Sequence, residues 1–425
     1  MWSRRVSSLT EAQYRAYALD AEDEAARLAA YDGGTYRVDR TYARGGASWY
    51  TAADESLTLG QRSVSAYVST SDARAMTMLT SVGYGLPGWW SLRYTDSNLA
   101  ADALLGVRYV SSTFRPFGYV DTGTGERTSG YAAGARLWEN PYALPLGYGV
   151  ADTAAGATFG EWGAAGAASA GDSSANPFES QNAMASALLG RDVTLYRPLD
   201  ATLVEDAEGV RSWQVEVPAG MEGYLYTSVD SYLTPRAEMP LWVSVDGGEP
   251  IQEGTQLYHS VHPIGEVDET SATTHLVSVT SRSGAEVESW TNDDFLMTPT
   301  CTFYALDVSA LRELTDELAS EPFEATTFED GRIEGDFVAG SDTASMLLTI
   351  PNADGWTVEV NGERVEPEGA FDDGLMVIPV VPGQTNHVRL TYLSPGIVPG
   401  AVVSAVTLAA LAVAAVVRRA RAGRG

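Results

Sequence analysis

Residues 345–365 read SMLLTIPNADGWTVEVNGERV. Two apolar runs flank a Pro-Asn-Ala-Asp-Gly turn, and the second alternates Trp356, Val358 and Val360 with polar partners up to Asn361-Gly362. A period of two places every second side chain on one face of a strand. An Asn-Gly pair between such runs signals a hairpin, because both central residues of a type I′ turn take positive φ. This stretch therefore predicts antiparallel strands.

The same texture runs back to about residue 200. SWQVEVPAG (212–220), GYLYTSV (223–229), LWVSVDGGEP (241–250, with Asp246-Gly247 as a second hairpin turn) and THLVSVTSRSG (274–284) are short strands between turn residues. One amphipathic helix, VSALRELTDELAS (308–320), interrupts them. The spacing predicts a β-sandwich of jelly-roll or immunoglobulin-like type over residues 201–395.

Residues 1–200 read differently, as a mixed α/β region. SLTEAQYRAYALDAEDEAARLAAYDGG (8–34) predicts a helix stopped by Gly33-Gly34, followed by a strand at 35–42. Further helices are expected near 73–79, 101–105 and 176–190, with a strand at 107–111. The Ala/Gly/Ser-rich run 151–175 suits a loop or a weak helix. The expected fold class is thus α+β, mainly β, closed by one transmembrane helix.

That helix is GIVPGAVVSAVTLAALAVAAVVRRARAGRG (396–425). Ile397 to Val417 carries no charge, and 21 residues at ~1.5 Å each span ~31 Å, about one hydrocarbon core. Arg418, Arg419, Arg421 and Arg424 follow it, in the tail 418–425. The positive-inside rule puts this tail in the cytoplasm and residues 1–395 outside, with 396–417 in the cell membrane. Yet no apolar export signal follows Arg4-Arg5. The expectation is a chain without its natural beginning, or one working beside a separately encoded multi-span membrane part.

Composition narrows the partners. The formal net charge is −29, with 27 basic and 56 acidic residues. Such a field repels nucleic acid and anionic headgroups, so neither is expected as a partner of the main body. Cys301 is the single cysteine, so no internal disulfide forms, and its strand-like surroundings suit a small buried hydrophobe.

Few residues carry recognisable chemistry. Gly83 to Gly88 matches G-x-G-x-x-G, but Pro87 removes an N–H and no helix follows, so a turn is the better reading. His259 and His262 lie three apart and point to opposite faces of a strand. The acidic run DAEDE (20–24) reads as a solvated helix face. No catalytic residue, metal ligand or cofactor is assigned. Candidate glycan contacts are Trp89, Trp90, Trp138, Asn140 and Tyr142, lying in Gly/Pro-punctuated segments where a sugar ring could stack. Tyr94 belongs to the same aromatic set, and the aromatic rings equally suit filling a core between helix and sheet.

Several stretches together resemble the outer portion of the YfhO-type bacterial membrane proteins. They are ADALLGVRYVSS (101–112), ENPYALPLGYGV (139–150), NPFESQNAMASALLG (176–190), IPNADGWTVEVNGERVE (350–366) and VPGQTNHVRLTYLSPG (381–396), with the terminal helix. Asn361 stands where the family often has Asp, and supports the same turn. The resemblance implies a GT-C-like membrane glycosyltransferase that moves a sugar from a polyprenyl-phosphate carrier to a cell-envelope polymer such as teichoic acid. It places the catalytic carboxylate in an early outer loop that no position here matches. The chain is then expected to form the substrate side, non-catalytic alone, with the lipid bilayer and a glycan polymer as partners. The alternative is a stand-alone membrane-anchored surface domain that binds glycan or protein.

Overall fold

Asn361 and Gly362 take φ of 55° and 81° and join Trp356–Val360 to Glu363–Val365, with Val360 opposite Glu363. The computed structural model in which this turn is seen describes residues 10–42, 44, 54–67, 72–88, 91–128, 130–159, 176–207, 209–228, 241–252, 259–281 and 300–423.

The hairpin belongs to a five-stranded antiparallel sheet ordered Phe323–Glu329, Arg332–Val338, Thr385–Tyr392, Trp356–Val360, Glu363–Val365. Burial alternates along Arg332–Val338, as a half-covered strand requires. Facing it are Glu368–Ala370, Leu375–Pro379, Ser345–Leu348 and Gly147–Val150. Ile333, Phe337, Val388 and Leu390 of the first sheet pack on Met346, Leu348, Met376 and Ile378 of the second.

A second pair of sheets precedes this one in the chain. Ala201–Ala207, Val210–Val217, Thr273–Ser281, Leu241–Val245 and Ile251–Gln252 form one sheet. His259–Gly265, Met221–Ser228, Thr300–Asp307 and Tyr196–Pro198 form the other. Val215, Val243, Val277 and Val279 meet Leu225, Ile264 and Phe303 between them. The strand-rich half of the chain therefore holds two sandwiches. Strands from before residue 200, Gly147–Val150 and Tyr196–Pro198, complete one sheet of each.

Those two completed sheets are covered on both faces. Leu347, Tyr148 and Val377 point away from their own sandwich, as do Tyr224, Tyr226 and Tyr304 from the other. Both sets enter one central core with helices Ala73–Ser81, Leu99–Leu104, Pro177–Leu189 and Val308–Leu318. Double coverage explains why SMLL (345–348) and LMVI (375–378) are buried at every position rather than alternating. Local signals set the helix ends. Asn176 caps the helix begun by Pro177, and Gly190 closes it at φ 65°. Asp307 caps the helix Val308–Leu318 through the Ala310 N–H.

The N-terminal helix Glu11–Tyr31 starts on a Thr10/Gln13 capping box and lies on a sheet ordered Arg37–Arg40, Val107–Ser112, Arg136–Glu139, Val120–Asp121. Arg37 ties this layer to the rest. Its guanidinium donates to the carbonyls of Leu105 and Thr349 and, at 2.8 Å, to Thr349 Oγ1. Gly85–Gly88 is a strand, so the glycine pattern there opens no helix. Most of the Ala/Gly/Ser-rich run 151–175 lies outside the described residues, which resume at Asn176 after Phe159.

The terminal helix spans Ile397–Ala422 with no residue buried, and is the one helix among the described residues long and apolar enough to cross a membrane. The chain is mainly β, α+β, with this helix at its end.

Replacing Arg37 by Met leaves two interior carbonyls without their donor, which is expected to cost roughly 2–4 kcal/mol. Urea unfolding of the detergent-solubilised chain checks this; an unchanged midpoint would show that the three layers do not depend on the guanidinium.

Candidate functional site

Arg136–Glu139 pairs antiparallel with Val107–Ser112, placing Trp138 opposite Val110. The Trp138 ring is half-buried against the central core, and its Nε1–H donates to the Ser112 carbonyl at 3.4 Å. Two residues on, Asn140 is 1% exposed. Its backbone N–H bonds to the Arg108 carbonyl at 2.8 Å, its Oδ1 accepts from the Tyr142 N–H at 3.0 Å, and its Nδ2 donates toward the Leu99 carbonyl at 3.5 Å. The side chain thus folds the Asn-Pro-Tyr turn and makes these bonds within the chain.

Tyr142 emerges from that turn half-buried. Its hydroxyl accepts from Arg312 Nη2 at 3.5 Å, and the guanidinium carbon stands 6.0 Å from the ring centre. Arg312 comes from the helix Val308–Leu318, so the turn and that helix share one edge. An arginine beside a half-open tyrosine ring suits the hydroxyls and stacking face of a sugar. Trp89 and Trp90 lie outside the described residues. Tyr94, of the same aromatic set, is 1% exposed and belongs to the core.

Two carboxylates sit deeper. Asp102, in the helix Leu99–Leu104, is fully buried and accepts from the hydroxyls of Tyr84 (2.6 Å), Tyr94 (2.8 Å) and Tyr119 (2.9 Å) and from the Asn98 N–H (3.0 Å). Burial pushes its carboxyl up to about 7, against the opposing pull of those donors. Glu222, 1% exposed, accepts from the Tyr224 hydroxyl at 2.9 Å. Burial pushes it up to about 8, helped by the charges of Glu266 and Asp96. Values near neutrality are those of acid–base catalysts. Both groups are nevertheless buried in the interior.

A third cluster corrects the reading of DAEDE as a solvated face. Asp20 and Glu24 are each 8% exposed. Glu24 pairs with Arg40 at 2.8 Å and Arg44 at 2.6 Å, Arg127 pairs with Asp20 at 2.6 Å, and Glu55 lies 2.9 Å from Arg44. Arg44 also pairs with Asp20. Burial opposes ionisation of Glu24, yet Arg40 and Arg44 hold its carboxyl at about 2. The i, i+4 spacing of Asp20 and Glu24, on the stripe of Ala21 and Leu28, is the sequence signal for this inward face. Beside it opens a small cleft lined in part by Arg27, Ser111, Thr124, Arg127 and Arg136. Its arginines are committed: Arg127 to Asp20 and Asp23, Arg136 to Asp121 and Glu126, and Arg27 to the Thr124 carbonyl.

His275 and His387 do not converge. His275 bonds to Asp246 at 2.8 Å and His387 to Asp336 at 3.0 Å, on different sandwiches. Among the described residues no group of three or more His, Cys, Asp or Glu could hold a metal ion. Cys301 is half-buried on its strand, and burial pushes the thiol up to about 12, which suppresses its nucleophilicity.

Comparison with known proteins adds one strong finding. Residues 4–404 match the family model described as bacterial membrane protein YfhO. No curated protein matches the chain. Among solved structures, a GH2 β-galacturonidase from Eisenbergiella tayi is similar at 10% identity and a TM-score of 0.18, over 48% of this chain and 39% of that one. The arabinofuranosyltransferase AftD from Mycobacteria is similar at 9% identity and 0.15, over 46% and 21%. The match thus spans well under half the length of either structure. Scores this low carry no argument about fold or activity.

The pH dependence of stability follows from these carboxyls. Glu222 and Asp102 titrate higher in the folded than in the unfolded chain, so the native state binds more protons and stability falls as pH rises from about 4.5 to about 8. Glu24 works oppositely, and its contribution is lost as pH drops from about 4.5 toward 2. The urea midpoint is expected to peak near pH 4 and decline toward pH 8, by at most ~1.4 kcal/mol per pH unit for each group. Glu222→Gln is expected to flatten the decline; an identical slope in the variant would remove Glu222 as its source.

Proposed function

The chain belongs to the family of the bacterial membrane protein YfhO, and from that premise we propose that it is the extracytoplasmic, substrate-side part of a membrane glycosyltransferase. The reaction is transfer of a sugar from a polyprenyl-phosphate carrier to a cell-envelope polymer such as a teichoic acid. The observation that carries this reading is the exposed apolar helix Ile397–Ala422, which begins four residues after the last strand of the second sandwich in a family of membrane proteins. Arg418, Arg419 and Arg421, at its far end, favour a cytoplasmic tail and an outward-facing body.

Within that body Tyr142 and Arg312 supply what a sugar needs, namely a ring face and a charged donor, and Trp138 is a further half-buried ring on the strand that leads into the turn. Asn140 acts by shaping the turn that carries Tyr142. Asp102 and Glu222 support a non-catalytic role for the chain alone, since both are buried in the interior.

Two measurements test this reading. With Cys301 replaced by Ala, Glu363→Cys is expected to react with a membrane-impermeant maleimide in intact cells, and Gly423→Cys only after permeabilisation. The reverse pattern would overturn the orientation. The purified chain in liposomes is expected to bind a polyprenyl-phosphate sugar without transferring it, and Tyr142→Ala is expected to weaken binding by roughly tenfold, the loss of about 1.4 kcal/mol. Transfer by the chain alone would overturn the substrate-side assignment, and no binding at all would favour a surface domain that recognises protein.

A further inference from the structure

The join between the second sandwich and the terminal helix is short and fixed. Leu393 to Gly396 separate Tyr392, the last strand residue, from Ile397, the first helical one. Four residues reach at most ~14 Å even when fully extended. This linker is also bonded down. The Tyr392 N–H donates to the Gly331 carbonyl at 2.9 Å, the Leu393 N–H to the Gly355 carbonyl at 3.0 Å, and the Ile397 N–H to the Ser394 carbonyl at 3.3 Å.

Gly355 shows how tightly the linker is packed. It takes φ of 112°, and a Cβ there would meet the Leu393 carbonyl oxygen at 2.5 Å, the Tyr392 ring at 3.0 Å and Pro395 Cδ at 3.2 Å. The strand opening at Gly355-Trp356 therefore lies directly against the chain that leads into the helix. If the helix lies in a bilayer, this end of the sandwich cannot stand clear of its surface.

The side chains at this end suit that position. Trp356 and Tyr392 are paired in register, their ring centres 5.0 Å apart. Tyr392 is 38% and Leu393 53% exposed, and Ile397 continues the band into the helix at 55%. Tryptophan and tyrosine favour the headgroup layer, where an apolar ring and a polar tip are both accommodated. The acids nearby have arginines beside them. Asp354 lies 3.8 Å from Arg74, and Asp330 acts on Arg62, whose guanidinium covers the Phe328 ring at 4.3 Å. Local pairing of this kind limits repulsion of a strongly acidic body from anionic lipid.

We propose that this end of the second sandwich rests in the headgroup layer of the bilayer, with Tyr392 and Leu393 as its lipid contacts and Trp356, half-buried against the sandwich core, backing the Tyr392 ring. The proposal deepens the membrane reading above and rests on it. Continuity of the exposed apolar band with the helix selects lipid as the occupant. The consequence is a body held at a fixed height and tilt over the membrane.

Depth-dependent quenching tests it on the full chain in lipid nanodiscs, with Cys301 replaced by Ala. An environment-sensitive fluorophore is attached in turn at Leu393→Cys, Asp354→Cys, Gln384→Cys and Ala409→Cys. Gln384 marks the opposite end of the strand Thr385–Tyr392, some ~25 Å away. A shallow lipid-borne spin label is expected to quench positions 393 and 354 severalfold more than 384, while a deep label quenches 409. Quenching at 409 with 393 and 354 no different from 384 would overturn the headgroup contact alone. No quenching at 409 would instead overturn the membrane reading beneath it, and the proposal with it.

Discussion

The guanidinium of Arg37 is the constraint on which the other layers depend. It stands on the first strand of the N-terminal sheet and donates to the carbonyls at the end of the helix Leu99–Leu104 and at the end of the strand Ser345–Leu348. No carboxylate pairs with it among the described residues, and burial lowers its affinity for the proton to about 10. A cation held only by carbonyl and hydroxyl oxygens is stable when those oxygens are fixed by something else. Here the Thr349 N–H is bonded to the Leu146 carbonyl, and the Tyr148 hydroxyl to the Leu104 carbonyl. The N-terminal layer, the central helices and the second sandwich therefore meet at one site, and each supplies part of the support the others need.

Around that site the fold solves one packing problem twice. Each sandwich must cover its own interior and also offer a face to the shared helices. The two sheets that do so contain the strands with least alternation, and the outer sheets keep a polar face. Phe178 lies among Tyr196, Tyr224 and Tyr304, with ring centres 4.7 to 6.0 Å away, so the helix Pro177–Leu189 is bound to the first sandwich by aromatic contact. Two carboxyls, Asp102 and Glu222, lie near the same surface and are satisfied mainly by tyrosine hydroxyls. Their cost is an interior sensitive to pH.

Local chemistry made much of this legible from the sequence. The Asn361-Gly362 turn, the helix over 176–190 and the uncharged run after Ile397 all depend on a few neighbouring residues, and all appear as read. Long-range pairing was not legible. Acids in Asp20–Glu24 looked solvated because the arginines that bury them, Arg40, Arg44 and Arg127, lie 16 to 107 residues away. The division into two sandwiches was hidden because the doubly covered strands resemble any other apolar run. At the candidate site, the polarity of Asn140 suggested a ligand contact, and the structure adds side-chain bonds to the Tyr142 N–H and the Leu99 carbonyl. Arg312 was missed because its link to Tyr142 crosses 170 residues.

The strand Gly147–Val150 joins its sheet by pairing with Ser345–Leu348, and the interval has a temporal meaning. A ribosome adding ~5–20 residues per second needs on the order of 10–40 s to make the intervening chain. Throughout that time one sheet of the second sandwich lacks its central strands, and the Thr349 oxygens that Arg37 requires do not yet exist. The N-terminal layer must wait with an apolar strand and an unanchored cation exposed. Completion of the body is therefore tied to the arrival of residues 345–349, so a late segment of the chain locks an early one.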